Sequence, residues 1–369
     1  MKARPAVLAL GLLALGAASS ASAEPMDPAF ERFVTDASSS CRTAAGEYVP
    51  GADPASPAVC LPDNLRFKRF VNQLGFAFAP SAMHSARTTG YGGFDVGIES
   101  TYTKISNSKD YWKLGTQGSG DPSTNLASIR NNSPDSVLQL YSVRVRKGFG
   151  FGLEVSGMVG FMPKTSLLGG GADVRLSILE GFRRGLLGIF PDVAVGGGVR
   201  TITGTPELQL TVASIDAQIS KPLPIQDSSV LTPWIGYQHI WIFGDSGTVD
   251  LTPATNAQGY CGYAGSNHPT PNGPADPRKT QADGQPICTA PGASPQADFN
   301  NNAVFKSVRL KRHRFLFGMT YRYEMLRLGA EFITDLTAPS AAQTNDRDEA
   351  DLKGEARQWT LALDLGASF

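Results

Sequence analysis

Charged residues recur at every second position of several short segments, and their chemistry is that of enclosed, paired charge. Asp95 and Glu99, Arg144 and Arg146, Glu154, Asp173 and Arg175, and Arg200 share this placement, as do Arg322, Arg327, Glu331, Asp335 and Asp364. Side chains alternate across an extended strand, so each of these faces away from its apolar neighbours. Both signs held in one enclosed space would form a network of salt bridges and water, or line a narrow polar passage. Catalysis asks for more: a nucleophile beside a base that a third polar group orients. The four histidines are His84, His239, His268 and His313, and His239 falls on the apolar face of its segment. Asp245 and Ser246 follow the end of that segment. No protease or lipase constellation emerges, so the expectation is a protein that is not an enzyme. No D-x-D-x-D-G loop or C-x-x-C pair is present, and no metal or other cofactor is expected.

The elements that must position these charges are strands. Phe94, Val96, Ile98 and Tyr102 alternate with Asp95, Gly97, Glu99 and Thr101. The same period runs through segments around Tyr141–Arg146, Phe151–Phe161, Ala172–Ile178 and Val193–Arg200. It continues near Ile235–Trp241, Phe315–Tyr323, Leu326–Asp335 and Trp359–Phe369. Leu208, Leu210 and Val212 open a further strand whose apolar phase then slips to Ile215, Ala217 and Ile219, which predicts a bulge near Ala213. That makes ten strands.

The connections decide between a soluble sandwich and a membrane barrel. Long polar links fall at about 106–136, 246–303 and 337–355, all after odd-numbered strands. Tight links follow even-numbered ones, at Lys147–Gly150 and Tyr323–Met325. A transmembrane barrel shows that asymmetry, with short periplasmic turns and long outer loops. Strand ends carry Trp241, Tyr321, Tyr323, Trp359 and Phe369, as membrane girdles do. The reading is an all-β, antiparallel up-and-down transmembrane β-barrel of about ten strands, twelve if residues 74–83 join the wall. Ten strands leave little or no open bore.

With these strands and a last strand ending in Phe, residues 94–369 resemble a Gram-negative outer-membrane β-barrel protein. The resemblance implies an outer-membrane location and recognition by the barrel-assembly machinery through the final strand. Trp359, Leu361, Leu363, Leu365 and Phe369 stand at the matching positions. A looser likeness, to FadL-like transporters of hydrophobic substrates, rests on an N-terminal segment and the stretch Leu74–Pro80.

Residues 1–23 read as an export signal: Lys2 and Arg4, an apolar run, then Ala21-Ser22-Ala23, with the exported chain expected from Glu24. Removing Lys2 and Arg4 from 33 basic residues leaves 31 against 33 acidic ones, which gives no electrostatic case for nucleic acid. Residues 24–90 form a partly helical extension under the barrel or a plug within it, with helical spacing over Pro28–Ser38 and Asp63–Leu74. Asp63 is the expected cap of the second helix. The barrel occupies 91–369. Cys41, Cys60, Cys261 and Cys288 suggest two disulfides, best paired locally. Closing the Pro-rich loop between Cys261 and Cys288 would contribute about 3 kcal/mol of loop entropy. Arg309, Lys311 and His313 share outward parity near an outer strand end, where lipopolysaccharide phosphates would meet them.

Outer-membrane lipids, lipopolysaccharide and the assembly machinery are therefore the expected partners. The functional expectation is a narrow channel or transporter for a small solute. The alternative is a closed structural or surface-recognition barrel that acts through its loops.

Overall fold

The computed structural model describes residues 24–35, 61–82, 84–119, 130–181, 190–226, 228–251, 302–336, 352 and 354–369, with short backbone strands inside 255–288. Residues 1–23, Cys41 and Cys60 lie outside the described residues, as do the side chains of Cys261, His268 and Cys288.

Ten antiparallel strands make the wall: β1 Phe94–Lys104, β2 Val137–Gly148, β3 Leu153–Phe161, β4 Leu168–Leu179 and β5 Asp192–Thr203. They continue with β6 Leu208–Ser220, β7 Ser229–Ser246, β8 Val308–Tyr323, β9 Leu326–Asp335 and β10 Trp359–Ser368. Each pairs with its sequence neighbours, and β10 pairs with β1, from Asp95 opposite Ser368 to Thr103 opposite Thr360. Phe94 and Phe369 exchange both backbone hydrogen bonds, so the seam runs to the last residue. The sheet closes on itself and leaves no edge in the wall, the condition for strands in lipid. No described helix is long and apolar enough to cross a membrane.

Three local expectations change. The register of β6 with both neighbours runs without a break, so there is no bulge at Ala213. Leu208, Leu210 and Val212 point inward and are fully buried, while Ile215 and Ile219 point outward. The phase slip is a change in what the lumen contains, from apolar in its outer half to polar below. Phe151 belongs to the turn before β3, where it stands exposed with φ of 62°. Asp245 and Ser246 are the last residues of β7 rather than a loop, because β7 pairs with β6 through Ser246.

The N-terminal segment occupies the lumen. Residues 24–35 lie at the long-loop end, where Pro28 bridges Thr116, Val34 bridges Pro62 and Met26 N–H donates to Lys164 O. Those bridges hold the backbone extended, so only one 3-10 turn, Phe30–Arg32, forms in the described part of the helix expected over 28–38. Helix α1, Asn64–Phe78, then descends into the barrel. Asp63 caps it by accepting from the amides of Leu65 and Arg66. Residues 79–93 continue to the short-turn end, where β1 starts. The described residues 74–82 thus fill the bore and add no strand to the wall.

The outer half of the lumen is a hydrophobic core. Phe30, Phe33, Phe67 and Phe70 pack with Phe305 of the 247–307 link and Trp112 of a short helix, α2 Asp110–Leu114. The wall supplies Leu208, Leu210, Ile240, Ile242 and Leu310. Each such side chain contributes about 1.5–3 kcal/mol on burial. Two glycines allow the helix to touch the wall. A Cβ on Gly75 would lie 2.5 Å from Ile242, and one on Gly169 would lie 2.1 Å from the Phe78 ring.

Candidate functional site: the occupied lumen

Alternation along the strands turns one set of polar residues inward, and the threaded segment gives them partners. Working down from the outer end, Gln73 is the first. Its amide donates to Tyr111 Oη at 2.7 Å and to Glu355 at 3.0 Å, and its oxygen accepts from Trp112 Nε1 at 2.8 Å. Tyr111 Oη donates to Glu355 at 2.6 Å. Burial and the adjacent Glu355 carboxylate both push the Tyr111 phenol above its ordinary pKa.

One turn lower, Arg312 pairs with Asp335 and donates to Asn72 O at 3.1 Å and Gln358 Oε1 at 2.6 Å. Arg314 donates to Gln238, to Phe76 O at 3.2 Å and to Pro80 O. The two guanidiniums sit 4.3 and 5.1 Å from the Phe76 ring centre. Arg314 thus takes Phe76 O, one of the carbonyls that the end of α1 leaves without an intrahelical partner, while Arg312 adds a bond to Asn72 O a turn earlier.

Ser81 is the middle node. Arg144 and Arg200 both donate to its hydroxyl, at 2.9 and 3.0 Å, and the hydroxyl donates to Glu99. Arg144 also pairs with Glu99 at 2.8 Å, and Arg200 donates to Ala79 O at 3.3 Å. Below it, Arg175 donates to His84 O and Ser85 O at 3.2 and 3.0 Å and faces Asp216 at 3.5 Å. His84 meets Glu154 at 3.3 Å. At the short-turn end Arg327 makes a bidentate contact with Asp95, 2.9 Å on each arm, and pairs with Asp364.

The structure therefore brings Asp95, Glu99, Arg144, Arg146, Glu154, Arg175, Arg200, Arg327, Glu331, Asp335 and Asp364 to the buried lumen. Asp173 is half-buried there and accepts from Ser156 at 3.2 Å. Arg322 departs from the set: it is exposed at the short-turn rim and donates to Glu324 O of its own turn. The partners that periodicity does not reveal are Gln73, Ser81, His84 and the carbonyls of residues 72–85. They lie on a helix and an irregular stretch, where no two-residue alternation marks them.

Other singled-out residues lie outside the lumen. Trp359, Leu361, Leu363, Leu365 and Phe369 all face outward and are exposed. Trp359 stacks on Phe332 at 5.9 Å. Arg309 and Lys311 face outward near the outer end of β8, and Arg309 is bound by Asp245 at 2.9 and 3.0 Å. His313 is partly buried between Tyr237 and His239, with the two imidazole Nδ1 atoms 3.2 Å apart. Ser246 Oγ accepts from Phe305 N–H at 2.8 Å, and His239 meets His313. The backbones of Cys261 and Cys288 stand directly opposite in a short antiparallel ladder.

The outward face settles the class. Ile98, Val159, Val174, Ile215, Ile235, Phe317 and Leu365 are 46–69 % exposed on a closed sheet whose inner face is charged. Such a surface is stable only in lipid. The chain is a transmembrane β-barrel. The long links all open at one end of this barrel, the outer end, and the threaded segment enters there.

No family model and no curated relative matches the barrel's sequence. The chain is similar to several solved structures at low identity. Ail of Yersinia pestis is 8% identical, with 76% of this chain and 99% of that one covered and a TM-score of 0.23. Omp33 of Acinetobacter baumannii is 8% identical over 76% and 100% of the two chains, with a TM-score of 0.24. The translocator domain of the autotransporter NalP from Neisseria meningitidis is 9% identical over 76% and 88%, with a TM-score of 0.31.

Proposed function

We propose that the barrel is a closed one, which holds its N-terminal segment through the lumen and acts at the cell surface through the long outer loops. One observation carries this reading. The main chain from Asn72 to Ser85 accepts hydrogen bonds from Arg312, Arg314, Arg200, Arg144 and Arg175, each fixed in the wall. Withdrawing the segment would take these acceptors from all five guanidiniums at once. Arg312, Arg144 and Arg175 would keep the wall carboxylates Asp335, Glu99 and Asp216, while Arg200 and Arg314 would lose main-chain partners. A buried charge left without its partner costs several kcal/mol. The apolar outer half adds the burial of Phe67, Phe70 and Leu74 to that cost.

Passage of a small solute, the other reading, requires the segment to leave. Planar-bilayer conductance separates the two. The full-length folded barrel is expected to give no steady conductance, and the barrel deleted for residues 24–90 is expected to conduct. Steady ion current through the full-length protein would overturn the closed reading. The surface role is tested with whole cells, where a protease should reach the exposed Lys164 and Lys306 of the outer links from outside.

A further inference from the structure

The bore is not filled to its lower end. Beneath residues 84–90 a cavity of about 430 Å³ opens at the short-turn rim. That volume falls within the range of small-molecule sites. Its walls come from the first or last residues of the strands, among them Arg146, Glu154, Thr320, Arg322 and Arg327.

The acids around this cavity already have partners. Asp95 is held by Arg327 and by Ser368 Oγ at 2.6 Å. Glu154 accepts from Thr89 N–H at 2.8 Å and faces His84. Glu180 accepts from Thr88 Oγ1 at 2.8 Å and faces Arg87 at 3.5 Å. The groups left over are donors. Arg146 is 2 % exposed, yet among the described residues its Nε and Nη2 have no hydrogen-bond partner, and its ion pair with Asp95 is long at 3.7 Å. The buried hydroxyls of Thr89 and Thr320, both lining residues, have no partner either. Arg322 forms no ion pair among the described residues and is exposed at the mouth. A buried guanidinium keeps its charge and must find acceptors. Planar, forked donors select carboxylate and phosphate oxygens.

We infer that this vestibule is a binding site for a small oxyanion, a phosphate or carboxylate group entering from the periplasmic side. Arg146 and the hydroxyls of Thr89 and Thr320 ligate it, and Arg322 attracts it at the mouth. The site shares His84, Thr89, Glu154 and Arg327 with the network that holds the segment, but it opens at the short-turn end of the full-length protein, so its test does not depend on whether the outer end conducts.

The test is isothermal titration of the folded full-length protein, in zwitterionic detergent micelles, with inorganic phosphate and separately with citrate. Heat-modifiable gel mobility reports folding of each variant. The expected result is saturable 1:1 binding of at least one anion, weakened at least tenfold by Arg146→Gln and several-fold by Arg322→Gln. The exposed Arg322 variant folds regardless of how the buried one behaves. Whichever anion binds more tightly identifies the group the site takes. Binding of neither anion, or binding that both variants leave unchanged, overturns the inference.

Discussion

Glu207 links the threaded segment to pH. It lies in the outer connection between β5 and β6, and its Oε2 accepts the Phe30 amide at 3.3 Å. Burial, and then the nearby Glu31 carboxylate, raise its pKa from 4.5 to about 7, and the Phe30 amide only partly opposes them. With the segment undocked, the carboxyl returns to its ordinary value. Below pH 4.5 Glu207 is protonated in both states and contributes no difference. Between 4.5 and about 7 the undocked state ionises first, so docking weakens as pH rises, and above about 7 the whole difference is present. At about 1.4 kcal/mol per pKa unit, the loss approaches roughly 3 kcal/mol, on the order of a hundredfold in local opening. The amides of Phe33, which donates to Phe30 O, and Asp63, which donates to Phe33 O, report it. Hydrogen exchange at these two sites, corrected for intrinsic rates, should be faster at pH 8 than at pH 5, and Glu207→Gln should flatten the dependence. Equal protection at both pH values, or a dependence unchanged in Glu207→Gln, would refute the reasoning.

Four further outcomes follow from the packing. Asp335→Asn removes the carboxylate that pairs with Arg312 and accepts Gln358 N–H at 2.9 Å, and should cost about 3–5 kcal/mol in urea titrations read by gel mobility. Gly169→Val drives a side chain into the Phe78 ring and should lower barrel stability by about 1–3 kcal/mol; an unchanged melting temperature would show that the segment sits elsewhere. Because Cys261 and Cys288 are register partners, a disulfide between them is expected, and mass spectrometry of unreduced peptides should find the two linked. Deleting Phe369 removes the paired backbone bonds to Phe94 and an exposed aromatic at the rim. Membrane assembly should fall more than with a loop deletion of similar size, as measured by the folded fraction in isolated outer membranes.

The wall was legible in the sequence because lipid and lumen impose opposite demands on alternate residues. Val143 and Val145 against Arg144 and Arg146 fix which way β2 faces, and no other part of the fold is needed to read it. Strand number followed for the same reason. Where β6 seemed to slip phase, the rule of apolar outside and polar inside had failed locally. Leu208, Leu210 and Val212 meet a hydrophobic helix rather than water. That exception was itself a sign of an occupied bore, visible only once the occupant is known. Tertiary structure alone decided what the inward charges do. Parity places Arg144, Arg200 and Arg314 in the lumen, but their partners, Ser81 and the carbonyls of Phe76, Ala79 and Pro80, are 63 to 238 residues away in the chain. Contacts across that separation leave no period in the sequence, because they depend on where α1 descends and how far Gly75 lets it approach the wall.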